Sequence, residues 1–436
     1  MFDYIVIGSG PGGLALAYQL KARDFNVAVI ENDKWGGTCP NYGCDPTKAM
    51  MAVVEAKHHA DQLQGQGLKG NLTVDWAAMR NRKVEITDPY AKQSFEGLKA
   101  NGIEAIYGTA VFTDDGMLLV GQKKYQATHY VIATGTRPRT LAIEGGELLN
   151  NSNDFLELDE LPEEIVFLGL GPIGLELAQL ANAAGAHVTV ISITDLEISN
   201  FQKTVGADYL ARLQADGINF EANIAINKVE QTERGLLLSD GKQFEIFADY
   251  AVAGVGRTPN IEQLNLEKMN VKSGRGGVIV DDFLRTSNPN IYALGDVVQK
   301  KRPHLTPVSV FEGNYLGANL GNENARAIDY PVIPYIIYGP TKLAQVGEFD
   351  ESADVSKKIL DMTNWYTYKR IADPLAKIVV AINRHDQIVG ASIISTVADE
   401  LINLLTFAIQ RKISLDEMNT MIMAYPTVAS DLSYFY

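Results

Sequence analysis

Short apolar runs recur along this chain, each halted by glycine: DYIVIG at 3–8, HYVIATG at 129–135, EIVFLG at 164–169, DYAVAGVG at 249–256 and NIYALGD at 290–296. Runs of this length without polar alternation predict strands buried on both faces, as in a parallel sheet. Between them lie stretches with apolar residues at helical spacing. These are LALAYQLKAR at 14–23, LELAQLANAAG at 175–185 and the longer DPTKAMMAVVEAKHHADQL at 45–63. Alternation of such strands and helices predicts an α/β architecture. Toward the C-terminus the pattern changes to the strands LAKIVVAI and QIVGASII and the helix ADELINLLTFAIQ, which predict an α+β region.

Two of the strand-to-helix joints carry the same device. After DYIVIG comes GSGPGG, with Gly8, Gly10 and Gly13, then a helix and the strand NVAVIE ending in Glu31. The first glycine makes the tight turn, the second lets the backbone approach a pyrophosphate, and the third lets helix and strand pack closely. Glu31 is placed to accept hydrogen bonds from a ribose. The device returns 161 positions later as GLGPIG, with Gly169, Gly171 and Gly174, followed by a helix and HVTVIS. Here the position of Glu31 is held by Ser192, so neither an acid for the ribose of NAD nor an arginine pair for the phosphate of NADP is present. Two dinucleotide-binding domains are expected, with the choice of NADH or NADPH open. Thr134, Gly135, Gly256, Arg257, Gly295 and Asp296, at the ends of the other glycine-stopped strands, are further cofactor-binding candidates.

Charge narrows the partners. Lys plus Arg is 38 against 53 for Asp plus Glu, a net −15, which argues against a general nucleic-acid or anionic-membrane surface. No window reaches the ~18 to 20 consecutive apolar residues of a membrane span, and the first strand begins at once, so a soluble cytoplasmic protein is expected. The chain has only two cysteines, Cys39 and Cys44, both in GGTCPNYGCDPTK at 36–48. In such a protein a close pair is more often catalytic than structural. Cys44 precedes the 45–63 helix, whose unpaired N–H groups and dipole stabilise a thiolate.

Taken in order, these motifs resemble the flavoprotein disulfide reductases, the family of glutathione reductase, dihydrolipoamide dehydrogenase and mercuric reductase. The resemblance runs from Gly8 to AYPTVASDL near the C-terminus. It implies two Rossmann-like domains and a C-terminal α+β dimerisation domain: FAD on residues 1–148 and 277–325, NADH or NADPH on 149–276, and a homodimer interface on 326–436. It further implies that Asp296 holds the ribityl chain or adjoining phosphate, and that Thr38 belongs to the cofactor site. Electrons would pass from the nicotinamide through flavin to a Cys39–Cys44 disulfide. Cys44 would be the charge-transfer thiolate, and Cys39 the interchange thiol that attacks the substrate. Lys48 would pair with Glu176 beside the flavin. No metal site is implied.

The main departure lies near the C-terminus. Where disulfide-reducing members have His-Pro-Thr followed by Glu, this chain has Tyr425, Pro426, Thr427 and Ser430. Reference values for tyrosine and histidine differ by about 3.5 pKa units, roughly 4.8 kcal/mol of proton affinity, so Tyr425 is expected to hydrogen-bond and not to act as a neutral-pH base. Mercuric reductases share a tyrosine there but carry a C-terminal cysteine pair, and this chain ends DLSYFY. The arginines that glutathione reductases offer to their substrate align with Tyr18 or Gln19 and with Asn314. Pro172 stands where many relatives cover the flavin with tyrosine, and Asp45 puts a negative charge beside Cys44. The resulting expectation is a flavoenzyme that reduces a small disulfide. The alternatives are a thiol-dependent reductase of a reactive oxidant, metal ion or quinone, and a flavin-binding protein without catalysis.

Overall fold

In the computed structural model, which describes residues 1–322, 324–349 and 354–436, the first apolar run forms the strand Phe2–Ile7, buried from Tyr4 onward. It is the middle of a five-stranded parallel sheet ordered Ile291–Ala293, Ala127–Ile132, Phe2–Ile7, Val27–Glu31 and Glu104–Tyr107. Successive side chains point to opposite faces, and both faces are covered. Ile5, Ile7, Ala28 and Ile30 pack under the meander strands Ala110–Phe112 and Leu118–Val120. On the other face Val6, Val27 and Val29 pack with Leu16, Leu20 and Leu316, from the helices Pro11–Lys21 and Thr306–Asn319. This two-sided cover is why the strands read as unbroken apolar runs.

Register brings the chemistry to one edge. Ile7 pairs with Ile30 and Ile132, and Ile132 with Ala293. Gly8, Glu31, Thr134 and Asp296 therefore all follow the same row, at the carboxyl ends of the strands, where open α/β sheets bind ligands. The helix starts at Pro11, earlier than the apolar pattern alone predicts, because proline fits the first helical turn and Gly10 is the N-cap. The second copy behaves alike, with Gly171 as N-cap and Pro172 opening the helix Pro172–Ala183.

The loop after Ile291–Ala293 is fixed by a buried ion pair. Glu312, with no exposed surface, accepts from the Gly295 N–H at 2.6 Å and from Lys300 Nζ at 2.8 Å, and the Lys300 side chain is 8% exposed. Removing one partner leaves the other charge buried and under-compensated. Lys300→Met is expected to cost roughly 3 kcal/mol, read as a lower urea midpoint at unchanged m-value. An unchanged midpoint would show that the pair contributes nothing to stability.

Residues Met1–Pro46, Lys83–Arg139 and Gly256–Asp329 form this first compact unit. The second comprises Thr47–Arg82, Thr140–Val255 and Tyr330–Tyr436. Its parallel sheet is ordered Asn219–Glu221, His187–Ile191, Glu164–Leu168 and Tyr250–Ala253. An antiparallel sheet of Lys228–Thr232, Gly235–Ser239 and Glu245–Ala248 accompanies it. The C-terminal part of this unit is a five-stranded antiparallel sheet. The helix Ala398–Arg411 packs on it through Ala398, Leu401, Ile402, Leu405 and Ala408, one face at helical spacing. Among the described residues no helix is long and apolar enough to cross a membrane.

Candidate active site

The first glycine loop has the geometry its sequence calls for. Gly8 sits at φ +109°, and a Cβ there would fall 2.3 Å from the Ala133 carbonyl oxygen. A Cβ on Gly13 would fall 2.3 Å from the Gly8 carbonyl oxygen. Around Gly10 there is nothing within 4 Å of the same position. The outer two glycines are thus required by the protein's own packing, whereas the middle one leaves space at a helix N-terminus, which fits a pyrophosphate. Glu31 is held by Ser9, whose N–H and hydroxyl donate to Oε2 at 3.0 and 2.7 Å. The Asn32 and Asp33 N–H groups donate to Oε1. Gly135 and Gly295 adopt positive φ, and Thr134 Oγ1 donates to the Asn260 carbonyl at 2.7 Å. These features together fit FAD. Gly10→Val is expected to lower bound flavin at least tenfold while leaving the fold intact, measured as FAD released per chain beside an unchanged circular dichroism spectrum.

The cysteine segment lies on this loop. Gly36 and Gly37 both have positive φ, and a Cβ on Gly37 would fall 2.5 Å from Gly10 Cα, so glycine is needed for the two backbones to cross. Thr38, exposed, opens the short helix Thr38–Tyr42, and Cys44 is the first residue of the helix Cys44–Gln62. Both cysteines are free thiols, Cys39 half-buried and Cys44 exposed. The hydrogen bond between them pushes the Cys39 thiol up strongly, and burial pushes it the same way. Both influences favour the protonated form of Cys39, while Cys44 stands at a helix N-terminus, a position that favours a thiolate. Asp45 adds to the upward push on Cys39. Thr306 Oγ1 lies 3.6 Å from Cys44 Sγ, a contact that no sequence motif announced.

Arg257 falls within the segment expected to bind nicotinamide, but its contacts are in the first unit. It follows Gly256, at φ +102°, and its guanidinium donates to Thr136 Oγ1 at 2.8 Å and to the Thr136 carbonyl at 2.7 Å. Burial pulls its pKa down, opposed by the negative charges of Asp296 and Cys44. A cation that feels both groups stabilises charge on the thiol side of the site. Asp296 accepts from the Ser309 hydroxyl at 3.4 Å.

In the second unit the other glycine loop repeats the pattern. Gly169 is at φ +108°, a Cβ there would fall 2.6 Å from the Gly254 carbonyl oxygen, and one on Gly174 would fall 2.8 Å from the Gly169 carbonyl oxygen. The nearest atom to a Cβ on Gly171 is 3.9 Å away, again a cradle that fits a pyrophosphate. Ser192 is buried, and its hydroxyl accepts from the Thr194 N–H at 3.2 Å. Lys48 Nζ meets Glu176 Oε2 at 2.5 Å and lies 4.6 Å from the centre of the Tyr338 ring. The Tyr338 N–H donates to Glu176 Oε1 at 3.0 Å. Sequence reading paired the lysine and glutamate but missed Tyr338.

The ring of Tyr425 is on the surface of the second unit. It is stacked with Tyr366 at 6.1 Å and 18°, and the residue is 71% exposed. Ser430 is used within its own turn, donating to the Thr427 carbonyl at 2.7 Å. Among the described residues no cluster of three or more metal-ligating side chains could hold an ion.

Comparison with known proteins agrees with this geometry. Residues 2–313 match the pyridine nucleotide-disulphide oxidoreductase family, and residues 333–434 match its dimerisation domain, which supports a homodimer. The dihydrolipoyl dehydrogenase of Geobacillus stearothermophilus is 30% identical, with 98% of this chain and 93% of that protein aligned. The mercuric reductase of Streptomyces lividans is 29% identical over 99% of this chain and 94% of its own. Among solved structures, the HOCl-induced flavoprotein disulfide reductase RclA from Escherichia coli superposes with a TM-score of 0.91 at 23% identity. That alignment covers 100% of this chain and 99% of RclA, and it shows a shared fold.

Proposed function

The chain belongs to the pyridine nucleotide-disulphide oxidoreductase family, whose members use FAD and NAD(P)H, and from that premise we propose that it carries electrons from NAD(P)H to the Cys39–Cys44 pair and on to a small oxidised acceptor. FAD supplies the two-electron chemistry between coenzyme and thiols. The glycine loop at Gly8, Gly10 and Gly13 would seat its pyrophosphate, Glu31 its ribose and Asp296 its ribityl chain. Gly169, Gly171 and Gly174 would seat the nicotinamide coenzyme, with Ser192 beside its ribose. The observation that carries the reading is the thiol pair itself. Cys39 and Cys44 are hydrogen-bonded to each other, Cys44 lies at a helix N-terminus, and the segment is folded over the flavin-type glycine loop.

A low-molecular-weight disulfide is the first acceptor class. Cys39 would attack it, and the thiolate it releases needs a proton. A reactive oxidant, a metal ion or a quinone is the second, favoured by Tyr425. Tyrosine is a poor neutral-pH acid/base, and Ser430 is committed to its turn. We place the enzyme in the cytoplasm as a homodimer. The test is steady-state turnover of the flavin-loaded protein with NADH and NADPH, against lipoamide, oxidised glutathione, a quinone and hypochlorite-oxidised thiols. Turnover with any of these that disappears in Cys39→Ser supports the electron path. Equal turnover in Cys39→Ser for every acceptor would contradict it.

A further inference from the structure

The turn that joins the paired strands Tyr335–Ile337 and Lys342–Gly347 carries an aromatic ring that the electron path does not use. Tyr338, its first residue, is held at both backbone groups by one helix. The Tyr338 N–H donates to Glu176 Oε1 at 3.0 Å, and the Tyr338 carbonyl accepts from Gln179 Nε2 at 3.1 Å. Glu176 and Gln179 stand one turn apart on Pro172–Ala183 and so share a face, and both are buried. Gln179 is fixed in its turn, because the same Nε2 lies 3.1 Å from the Leu175 carbonyl and 3.0 Å from the hydroxyl of the fully buried Tyr209.

Gly339 completes the seat. A Cβ there would fall 2.0 Å from Gln179 Oε1, so glycine is what lets the turn lie against the carboxamide. With its peptide groups fixed in this way, Tyr338 sets its ring 4.6 Å from Lys48 Nζ, within the range of a cation–π contact. Glu176 Oε2 takes the same ammonium at 2.5 Å. One carboxylate therefore holds both the lysine and the turn that presents the ring. The Lys48 side chain is 33% exposed, so water competes for the ammonium wherever the protein does not enclose it.

Resting on the reading that Lys48 stands beside the bound flavin, we propose that Tyr338 is a positioning residue that confines the Lys48 ammonium between its ring and the Glu176 carboxylate, with Gln179 holding the ring in place. Lysine is a point charge on a flexible stem. The pair with Glu176 fixes that charge from one side and leaves the stem free to swing about the carboxylate. The ring face closes the other side. A charge confined before the electrons arrive offsets the negative charge of a reduced flavin without having to reorganise.

The test measures the flavin reduction potential of the holoenzyme by anaerobic dye equilibration, in a Cys39→Ser background where the thiol pair cannot take electrons. Lys48→Met is expected to lower the potential, because a positive charge is lost beside the reduced flavin. Tyr338→Leu and Gln179→Leu should lower it by less, equivalent to about threefold in the equilibrium constant for flavin reduction, the worth of one cation–π contact. Tyr338→Phe keeps the ring and should keep the starting potential. With Lys48→Met already in place, Tyr338→Leu should add nothing, since the two act through one charge. An unchanged potential in Tyr338→Leu, an equal drop in Tyr338→Phe, or a full further drop in the double variant overturns the proposal and leaves the place of Lys48 at the flavin standing. An unchanged potential in Lys48→Met overturns both. If Gln179→Leu does not fold, the Tyr338 variants decide.

Discussion

Cys44→Ser is expected to bind FAD normally, to show no long-wavelength charge-transfer absorbance on reduction, and to lose thiol-dependent turnover by on the order of 10³-fold or more. Serine retains the size and a hydrogen-bonding group at the first position of Cys44–Gln62, so local structure and the contact with Thr306 can persist. What is lost is a sulfur that can form a thiolate and share a disulfide with Cys39. Removing Cys44 also removes the largest influence on Cys39, because the hydrogen bond between the two is what most strongly keeps the Cys39 proton in place. With a hydroxyl, which can donate to a Cys39 thiolate, in place of the Cys44 thiol, the Cys39 thiol should ionise at a lower pH than in wild type, and alkylation rate against pH measures this directly. A fully active Cys44→Ser enzyme would mean that acceptors take electrons without the thiol pair.

Tyr425→His should raise turnover of a small disulfide by roughly 10²-fold, the lower end of what a placed general acid–base contributes, while leaving quinone turnover unchanged. The site tolerates the exchange sterically, since Tyr425 is 71% exposed and its ring contact is the stack on Tyr366. Disulfide reduction sets free a thiolate that needs a proton, and histidine can supply one near pH 7 where tyrosine cannot. Quinone reduction releases no thiolate, so the substitution should not help it. A sharp rise confined to disulfides indicates that ordinary disulfide reduction is not the native task. No rise would show that the proton comes from elsewhere in the site.

Much of the fold and of both glycine loops was legible because their constraints are local. A glycine at positive φ between strand and helix, a proline opening the next turn and an apolar run of strand length each state a backbone requirement within a few residues. Gly8, Gly13, Gly169 and Gly174 therefore stand where the motif puts them. Contacts made across long stretches of chain were not legible. Thr306 meets Cys44 from 262 positions away, and Tyr338 donates to Glu176 from 162 away. Nothing near either cysteine or glutamate signals such partners. Arg257 shows a third limit, because a short antiparallel pairing with Thr136–Pro138 ties it to the first unit while the chain up to Val255, two residues before it, belongs to the second. The Lys48–Glu176 pair was reached through family resemblance, since spacing alone could not bring a lysine and a glutamate 128 positions apart together.

The most direct measurement is an anaerobic titration of the FAD-loaded protein with NADH and separately NADPH, following flavin absorbance and counting free thiols in wild type and Cys39→Ser. The structure predicts that oxidised wild type gains two thiols per chain together with a long-wavelength charge-transfer band. Cys39→Ser should bleach its flavin without gaining any thiols. Bleaching of wild-type flavin with no new thiols would contradict the central claim, because Cys39 and Cys44 would then lie outside the path of the electrons.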